Sequence, residues 1–97
     1  MSEKLEEYRK EIAEIDNQIL TLIRARLQIA KKIGEIKRQQ NLPVTNLKVE
    51  AEVISRAVKL ARKTGLNEDF TINLIKLLIA EAVSVQEDTS EKNKENK

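Results

Sequence analysis

The sequence predicts an all-α protein with three helices per chain, of which the first is very long. Over residues 2–40, apolar side chains recur at alternating steps of three and four, which is the spacing of a seam along one helix. Only one Pro and two Gly interrupt the 97 residues. An Asn suited to N-capping precedes each of the two later helical segments.

The first helix is expected to cover about residues 2–40. Asn41 can adopt the left-handed cap conformation, and Pro43 cannot continue the helix. The seam consists of Leu5, Tyr8, Ile12, Ile15, Ile19, Leu22, Arg26, Ile29, Ile33 and Ile36. A helix of roughly 36 residues is about 54 Å long, whereas a compact chain of this size is only some 30–35 Å across. Two shorter helices cannot cover this seam, so we expect a homo-oligomer, most simply a homodimer.

The second and third helices are bounded by capping residues. Asn46 favours the start of a helix over about Leu47–Thr64, and Gly65 favours its end. Asn67 favours the start of the third helix, which we expect to run to about Gln86.

The remaining residues, 87–97, are highly charged and contain almost no apolar side chains. Such a composition cannot bury enough apolar surface to order itself. We therefore divide the chain into one helical domain, residues 1–86, and a charged disordered tail, residues 87–97.

The composition excludes several classes of function. There is no Cys and no His, so thiolate or imidazole metal sites, cysteine nucleophiles and imidazole bases are ruled out. Two aromatic residues and a net charge of +2 argue against a nucleic-acid partner. The longest apolar run, residues 77–80, is far too short to span a membrane, and the charged start does not resemble a signal peptide. We expect a soluble, cytoplasmic protein.

Polar residues that interrupt apolar helix faces are the candidates for function. Arg26 occupies a seam position, and Lys37, eleven residues later, shares its face about 16 Å further along the helix. Glu50 and Gln86 interrupt the apolar stripes of the second and third helices. A buried guanidinium needs an anion, so these groups predict either a pocket for a small anion or a structural pair of Arg26 with Glu50 that fixes the helix register.

The order and spacing of these residues resemble a known family. The elements that carry the resemblance are Arg9, Ile12, Ile15, Asp16, Leu20, Leu22, Ile23, Arg26, Ala30, Ile33, Gly34, Lys37, Pro43, Val44, Glu50, Gly65, Leu66, Phe70 and Gln86. Together they cover roughly residues 5–86 and are similar to the all-α chorismate mutases. The resemblance implies an intertwined homodimer of three-helix chains that rearranges chorismate to prephenate, on the way to phenylalanine and tyrosine, without a cofactor or metal.

The resemblance also implies roles for individual residues. Arg26 matches the Arg that binds a substrate carboxylate within its own subunit, and Arg9 matches the Arg that the other subunit contributes. Lys37 and Gln86 match the pair that contacts the ether oxygen of the substrate. Glu50 matches the carboxylate that holds the substrate hydroxyl, and Asn46 can also hydrogen-bond that hydroxyl.

Three positions depart from the family's pattern. Asn46 stands where the family often has Asp, Val49 where it often has Arg, and Ala82 where it often has Ser. These changes affect substrate contacts more than the class of reaction. Two alternatives stay open: an isochorismate-pyruvate lyase on the same fold, and a non-catalytic helical interaction or regulatory module in which Arg26 and Glu50 pair.

Overall fold

The structure is a computed structural model that describes the backbone of residues 2–95 and the side chains of residues 2–88. It contains three α-helices: α1 (Ser2–Gln39), α2 (Leu47–Thr64) and α3 (Glu68–Glu95). No strand occurs in the described part of the chain. The prediction of an all-α chain with three helices is therefore confirmed.

The predicted capping residues lie where the sequence places them. The Asn46 side chain accepts a hydrogen bond of 3.2 Å from the backbone N–H of Val49, and the Asn67 side chain accepts one of 2.8 Å from Phe70. Gly65 ends α2 in the left-handed conformation, with φ of 81°. These caps satisfy backbone groups that a helix end leaves without partners.

The connection between α1 and α2 begins with a reversal at Asn41. Asn41 has a φ of 56°, the left-handed conformation expected of it. The backbone N–H of Leu42 donates a hydrogen bond of 2.7 Å to the carbonyl of Lys37, which closes the last turn of α1. The loop therefore folds back beside the end of α1, and Val44 comes within reach of the Lys37 side chain.

The sequence predicts that α3 ends at about Gln86, and this prediction is wrong. The helix continues to Glu95. Residues 87–95 contain no Pro or Gly, and their Glu and Lys residues favour helix. Low apolar content is therefore not a signal for the end of a helix. The tail predicted from the sequence also includes residues 96 and 97, which lie outside the described residues, and the division into a domain and a tail stays a prediction.

The three helices form a thin, elongated layer. Helix α3 packs against both α1 and α2. The chain measures 62 × 30 × 14 Å, and its radius of gyration is 17.5 Å, compared with about 12.5 Å for a compact domain of this length. Within the described residues, no helix is long and apolar enough to cross a membrane.

The described chain has almost no apolar core of its own. Among residues 2–88, the buried apolar side chains are those of Ala30 and Ala61, and none of the large side chains is fully buried. The seam of α1 is open to solvent along its length: Ile12 is 59% exposed and Leu22 is 69% exposed. Folding thus leaves the main apolar face of α1 uncovered.

Candidate active site

A cavity of about 430 Å³ lies between the C-terminal half of α1, the loop after it, the start of α2 and the middle of α3. Its polar lining consists of five side chains that the sequence analysis selected: Arg26, Lys37, Asn46, Glu50 and Gln86. Residues that are far apart in the sequence therefore line one space, which is the arrangement expected of a small-molecule site.

Lys37 is held by two acceptors at one end of this cavity. Its Nζ donates a hydrogen bond of 2.7 Å to the backbone carbonyl of Val44 and one of 3.1 Å to Oε1 of Gln86. An ammonium group has three N–H donors and no acceptor. Two acceptors therefore fix the position of the Lys37 ammonium and leave one donor for a bound molecule.

Gln86 is buried, with only 6% of its surface exposed. Because α3 continues beyond it, Gln86 is not in a fraying last turn. Its Oε1 faces the ammonium of Lys37, so its amide NH₂ group is directed away from that ammonium. Lys37 and Gln86 together present N–H donors and a positive charge to the same end of the cavity.

Arg26 is half-buried and lines the cavity from α1. Its Nη1 donates a hydrogen bond of 3.2 Å to the backbone carbonyl of Leu78 on α3. Among the described residues, neither Arg26 nor Glu50 forms an ion pair, so the structural pair that the sequence left open does not occur there. The guanidinium has five N–H donors, and most of them stay available for an anion such as a carboxylate.

Asn46 and Glu50 line the cavity at the start of α2. Asn46 is the N-cap, and its side-chain oxygen is occupied by the backbone N–H of Val49. Glu50 lies in the first turn, is half-buried and adds an acceptor to the cavity. Within the described residues, no group of three or more acidic side chains is placed to hold a metal ion.

The rest of the cavity wall is apolar. It consists of Ile29, Ala30, Ile33, Val44, Val49, Val53, Ile79, Ala82 and Val83. Where such a wall covers a bound molecule it keeps water away and lowers the local dielectric constant, which strengthens polar contacts with that molecule. Val49 and Ala82, two of the departures from the family's pattern, are therefore part of the apolar wall at positions where the family often has Arg and Ser.

Arg9 is the one predicted site residue that the structure does not bring to the cavity. It precedes Arg26 by seventeen residues, or about 25 Å along the helix axis. Its side chain is 64% exposed and makes an ion pair of 3.1 Å with Glu6 in the preceding turn. Within one chain, Arg9 is too far from the cavity to contribute to it.

Two backbone groups that the residue pattern does not mark hold the site together. The carbonyls of Val44 and Leu78 accept hydrogen bonds from Lys37 and Arg26, and every residue type carries such a carbonyl. Only the Pro43–Val44 element of the family resemblance indicated that this loop matters. No single-sequence signal identifies Leu78.

Comparisons with known proteins identify the family of this chain. The sequence profile of the family described as chorismate mutase type II matches residues 8–87. A chorismate mutase of Methanocaldococcus jannaschii is 39% identical over 98 residues, which cover 97% of this chain and 99% of that protein. A bifunctional chorismate mutase/prephenate dehydratase of Aquifex aeolicus is 43% identical over 61 residues, only 17% of its length. A 4-amino-4-deoxychorismate mutase of Streptomyces venezuelae is 27% identical over 84 residues. Because the profile spans most of the chain and the archaeal relative matches end to end, the chain belongs to the type II chorismate mutase family.

Proposed function

We propose that two copies of this chain form an intertwined homodimer and that each copy's cavity converts chorismate to prephenate by a [3,3] rearrangement. The observation that carries the proposal is the polar lining of a single cavity by a guanidinium, an ammonium, an amide and a carboxylate. Chorismate is a dianion with an ether oxygen and a hydroxyl, so each of these groups has a counterpart on the substrate.

The homodimer is supported by the surface of the isolated chain. The seam of α1 is exposed from Leu5 to Ile36, and the chain is a thin layer without an apolar core. Burying such a seam against a second copy would remove a large apolar area from water, which is the main driving force of association. A symmetric dimer buries the same face of both copies at once.

Substrate binding requires two cationic clamps, one for each carboxylate. Arg26 supplies the first from within the chain, because its guanidinium has free donors and no acidic partner in the described structure. We assign the second to Arg9 of the partner subunit. Long α1 helices packed along each other would carry the N-terminal half of one past the cavity of the other. The Arg9–Glu6 pair is solvent-exposed and therefore weak enough to exchange for a carboxylate of the substrate.

The rearrangement breaks a C–O bond and forms a C–C bond within one molecule. It needs no nucleophile and no proton transfer; it needs the flexible enolpyruvyl arm to be held over the ring. Negative charge grows on the ether oxygen as the C–O bond breaks. The third donor of Lys37 and the amide NH₂ of Gln86 would bind that oxygen more strongly in the transition state than in the ground state.

The expected magnitudes are sufficient. A rate acceleration of about a millionfold requires about 8 kcal/mol of transition-state stabilisation. Removal of one well-placed donor typically costs about 3–4 kcal/mol. Two donors at the ether oxygen, together with the orienting effect of the carboxylate clamps, can supply this amount.

Glu50 would accept a hydrogen bond from the substrate hydroxyl at the other side of the ring. Asn46 would assist through its amide NH₂ group, because its oxygen caps α2. The product would serve a prephenate-consuming enzyme of the phenylalanine and tyrosine route, in line with the fused dehydratase of the Aquifex aeolicus relative. We expect this chemistry to take place in the cytoplasm.

Product analysis tests the proposal. Purified protein is incubated separately with chorismate, isochorismate and 4-amino-4-deoxychorismate, and the products are identified by mass spectrometry and chromatography. We expect prephenate from chorismate at the highest kcat/KM. Pyruvate release from isochorismate as the main activity would instead indicate the lyase, and binding of none of the three would indicate a non-catalytic helical module.

A further inference from the structure

Gly34 is an unusual residue for its place in the fold. It lies within α1, five residues before Gln39, the last residue of that helix, and it is buried. Its backbone is helical, not left-handed, so the conformation does not require Gly. Gly also weakens the interior of a helix relative to Ala. The reason for Gly at this position must therefore be sought in what packs against it.

The residue that packs against Gly34 is Gln86 of α3. A Cβ atom added to Gly34 would lie 3.0 Å from Cγ, 3.1 Å from Cα and 3.1 Å from Cβ of Gln86. Such distances are shorter than ordinary van der Waals contact between carbon atoms. Two of these atoms belong to the part of Gln86 that moves only with the α3 backbone, so a methyl group at position 34 would push α3 away.

This contact is one turn from the polar end of the cavity. Gly34 and Lys37 are three residues apart and therefore share a face of α1. Gln86 packs against Gly34 and also accepts a hydrogen bond from Lys37, with 3.1 Å between Nζ of Lys37 and Oε1 of Gln86. The distance between the backbones of Gly34 and Gln86 thus determines the distance between the Gln86 amide and the Lys37 ammonium.

We propose that Gly34 is a positioning residue: by leaving room for the backbone of Gln86, it sets the separation of the Lys37 ammonium and the Gln86 amide, and thereby the turnover rate. The inference rests on the proposed function of this cavity. Gly34 itself touches no substrate. It acts through the placement of two donors that must meet one oxygen atom. A catalytic group displaced by about 1 Å can lose about a hundredfold in rate, so a shift of a few tenths of an ångström corresponds to a loss of about three- to tenfold.

The test is Gly34→Ala in the full-length chain, with kcat, KM and thermal stability measured. We expect kcat to fall by about three- to tenfold, while KM changes by less than about twofold because Arg26 still binds its carboxylate. A melting temperature close to that of the unaltered chain is expected, since Ala favours the helix while the displaced contact opposes it. Unchanged kcat in a folded Gly34→Ala variant would overturn the proposal.

A double-variant comparison separates positioning from general packing. If Gly34 acts through Gln86, then adding Gly34→Ala to Gln86→Ala should change kcat by less than about twofold, because the amide is already gone. Independent, multiplicative losses would contradict the proposal. Ala51→Gly, on the charged outer face of α2, is the matched control for the Gly/Ala difference in helix stability and should leave kcat unchanged.

Two further measurements keep the proposal testable. If Gly34→Ala does not fold, Gln86→Asn retracts the amide by one methylene on an unaltered backbone, and full turnover in that variant would refute the inference. If the unaltered chain does not convert chorismate, the proposed function fails by itself. The ¹⁵N resonance of the Gln86 side-chain amide then still reports its position: we expect it to shift in Gly34→Ala, and an unshifted resonance would refute the role of Gly34.

Discussion

Lys37 on α1 and Gln86 on α3 are joined by a hydrogen bond of 3.1 Å across 49 positions of sequence. The bond occurs at the wall of the cavity and links α1 and α3, two of the three helices that line the site. Each residue determines the orientation of the other, because an ammonium can only donate and therefore turns the amide oxygen towards itself. The remaining donors of both residues are then free for a third atom, which we propose to be the ether oxygen of chorismate.

Replacing Lys37 by Ala should remove most of the activity without unfolding the protein. We expect kcat to fall by about 10²- to 10³-fold, equivalent to about 2.7–4 kcal/mol, the usual cost of one donor to a developing oxyanion. KM should change less, because the carboxylate clamps remain. Steady-state kinetics with chorismate, together with circular dichroism, check this expectation.

Lys59→Ala is the matched control for this variant. Lys59 lies on the exposed outer face of α2, away from the cavity, so its removal should leave kcat and KM unchanged. Near-normal turnover in Lys37→Ala would remove Lys37 from the mechanism.

Gln86→Glu should make the rate depend on pH, whereas the rate of the unaltered enzyme is expected to change little with pH. An amide donates without gaining or losing a proton, and the chain has no His to titrate between pH 5 and 8. The new carboxyl group can donate to the ether oxygen only when it is protonated. We therefore expect kcat of the variant to rise as the pH falls from 8 to 5, by up to about tenfold per unit.

The pH profile of the unaltered protein is the reference for this comparison. A steep loss of its kcat across the same range would contradict the role of a neutral amide at position 86. A flat profile for Gln86→Glu would show that the donor at this position is unimportant.

A charge placed in the seam of α1 should abolish the dimer and the activity together. Ile15 is 52% exposed in the single chain and lies in the part of α1 that precedes the cavity. Ile15→Asp would bury a carboxylate against apolar side chains in the dimer, which is strongly unfavourable. Analytical ultracentrifugation should give twice the chain mass of 11.1 kDa for the unaltered protein and a smaller mass for the variant.

Asn17→Asp, an exposed change on the same helix about 200° around the axis from both Ile15 and Ile19, should leave both mass and kcat unaltered. A chain that is monomeric at micromolar concentration and yet fully active would contradict the shared site.

The fold was largely predictable because its signals are local. The repeat along α1 and the caps at Asn46, Gly65 and Asn67 act through neighbouring residues, and the structure confirms each of them. The end of α3 was not predictable in this way. No helix-breaking residue follows Gln86, and the only signal available was the loss of apolar residues, which reports burial and not helicity.

The site was predictable in its residue types but not in its construction. Arg26, Lys37 and Glu50 each stand out because a polar group interrupts an apolar face, and the structure places all three around one cavity. The contacts that fix them use the carbonyls of Val44 and Leu78, which no residue pattern marks. The apolar repeat predicts that the seam of α1 is buried. It does not predict which residue of a second copy lies at the cavity.

The proposed shared site can be examined with two variants, each of which is expected to be inactive for a different reason. A chain with Arg9→Ala retains Lys37 in its own cavity but cannot supply Arg9 to the cavity of its partner. A chain with Lys37→Ala can supply Arg9 but lacks the Lys37 ammonium in its own cavity. In a mixed dimer, the cavity of the Arg9→Ala chain would receive Arg9 of the partner subunit and be complete. The other cavity would lack both groups.

Unfolding and refolding an equal mixture of these two variants, followed by a chorismate assay, is the most direct test. Random association makes half of the dimers mixed, each with one complete cavity, so we expect about a quarter of the activity of the unaltered protein. Activity no higher than the mean of the two separately refolded variants would contradict a cavity completed by Arg9 of a second chain.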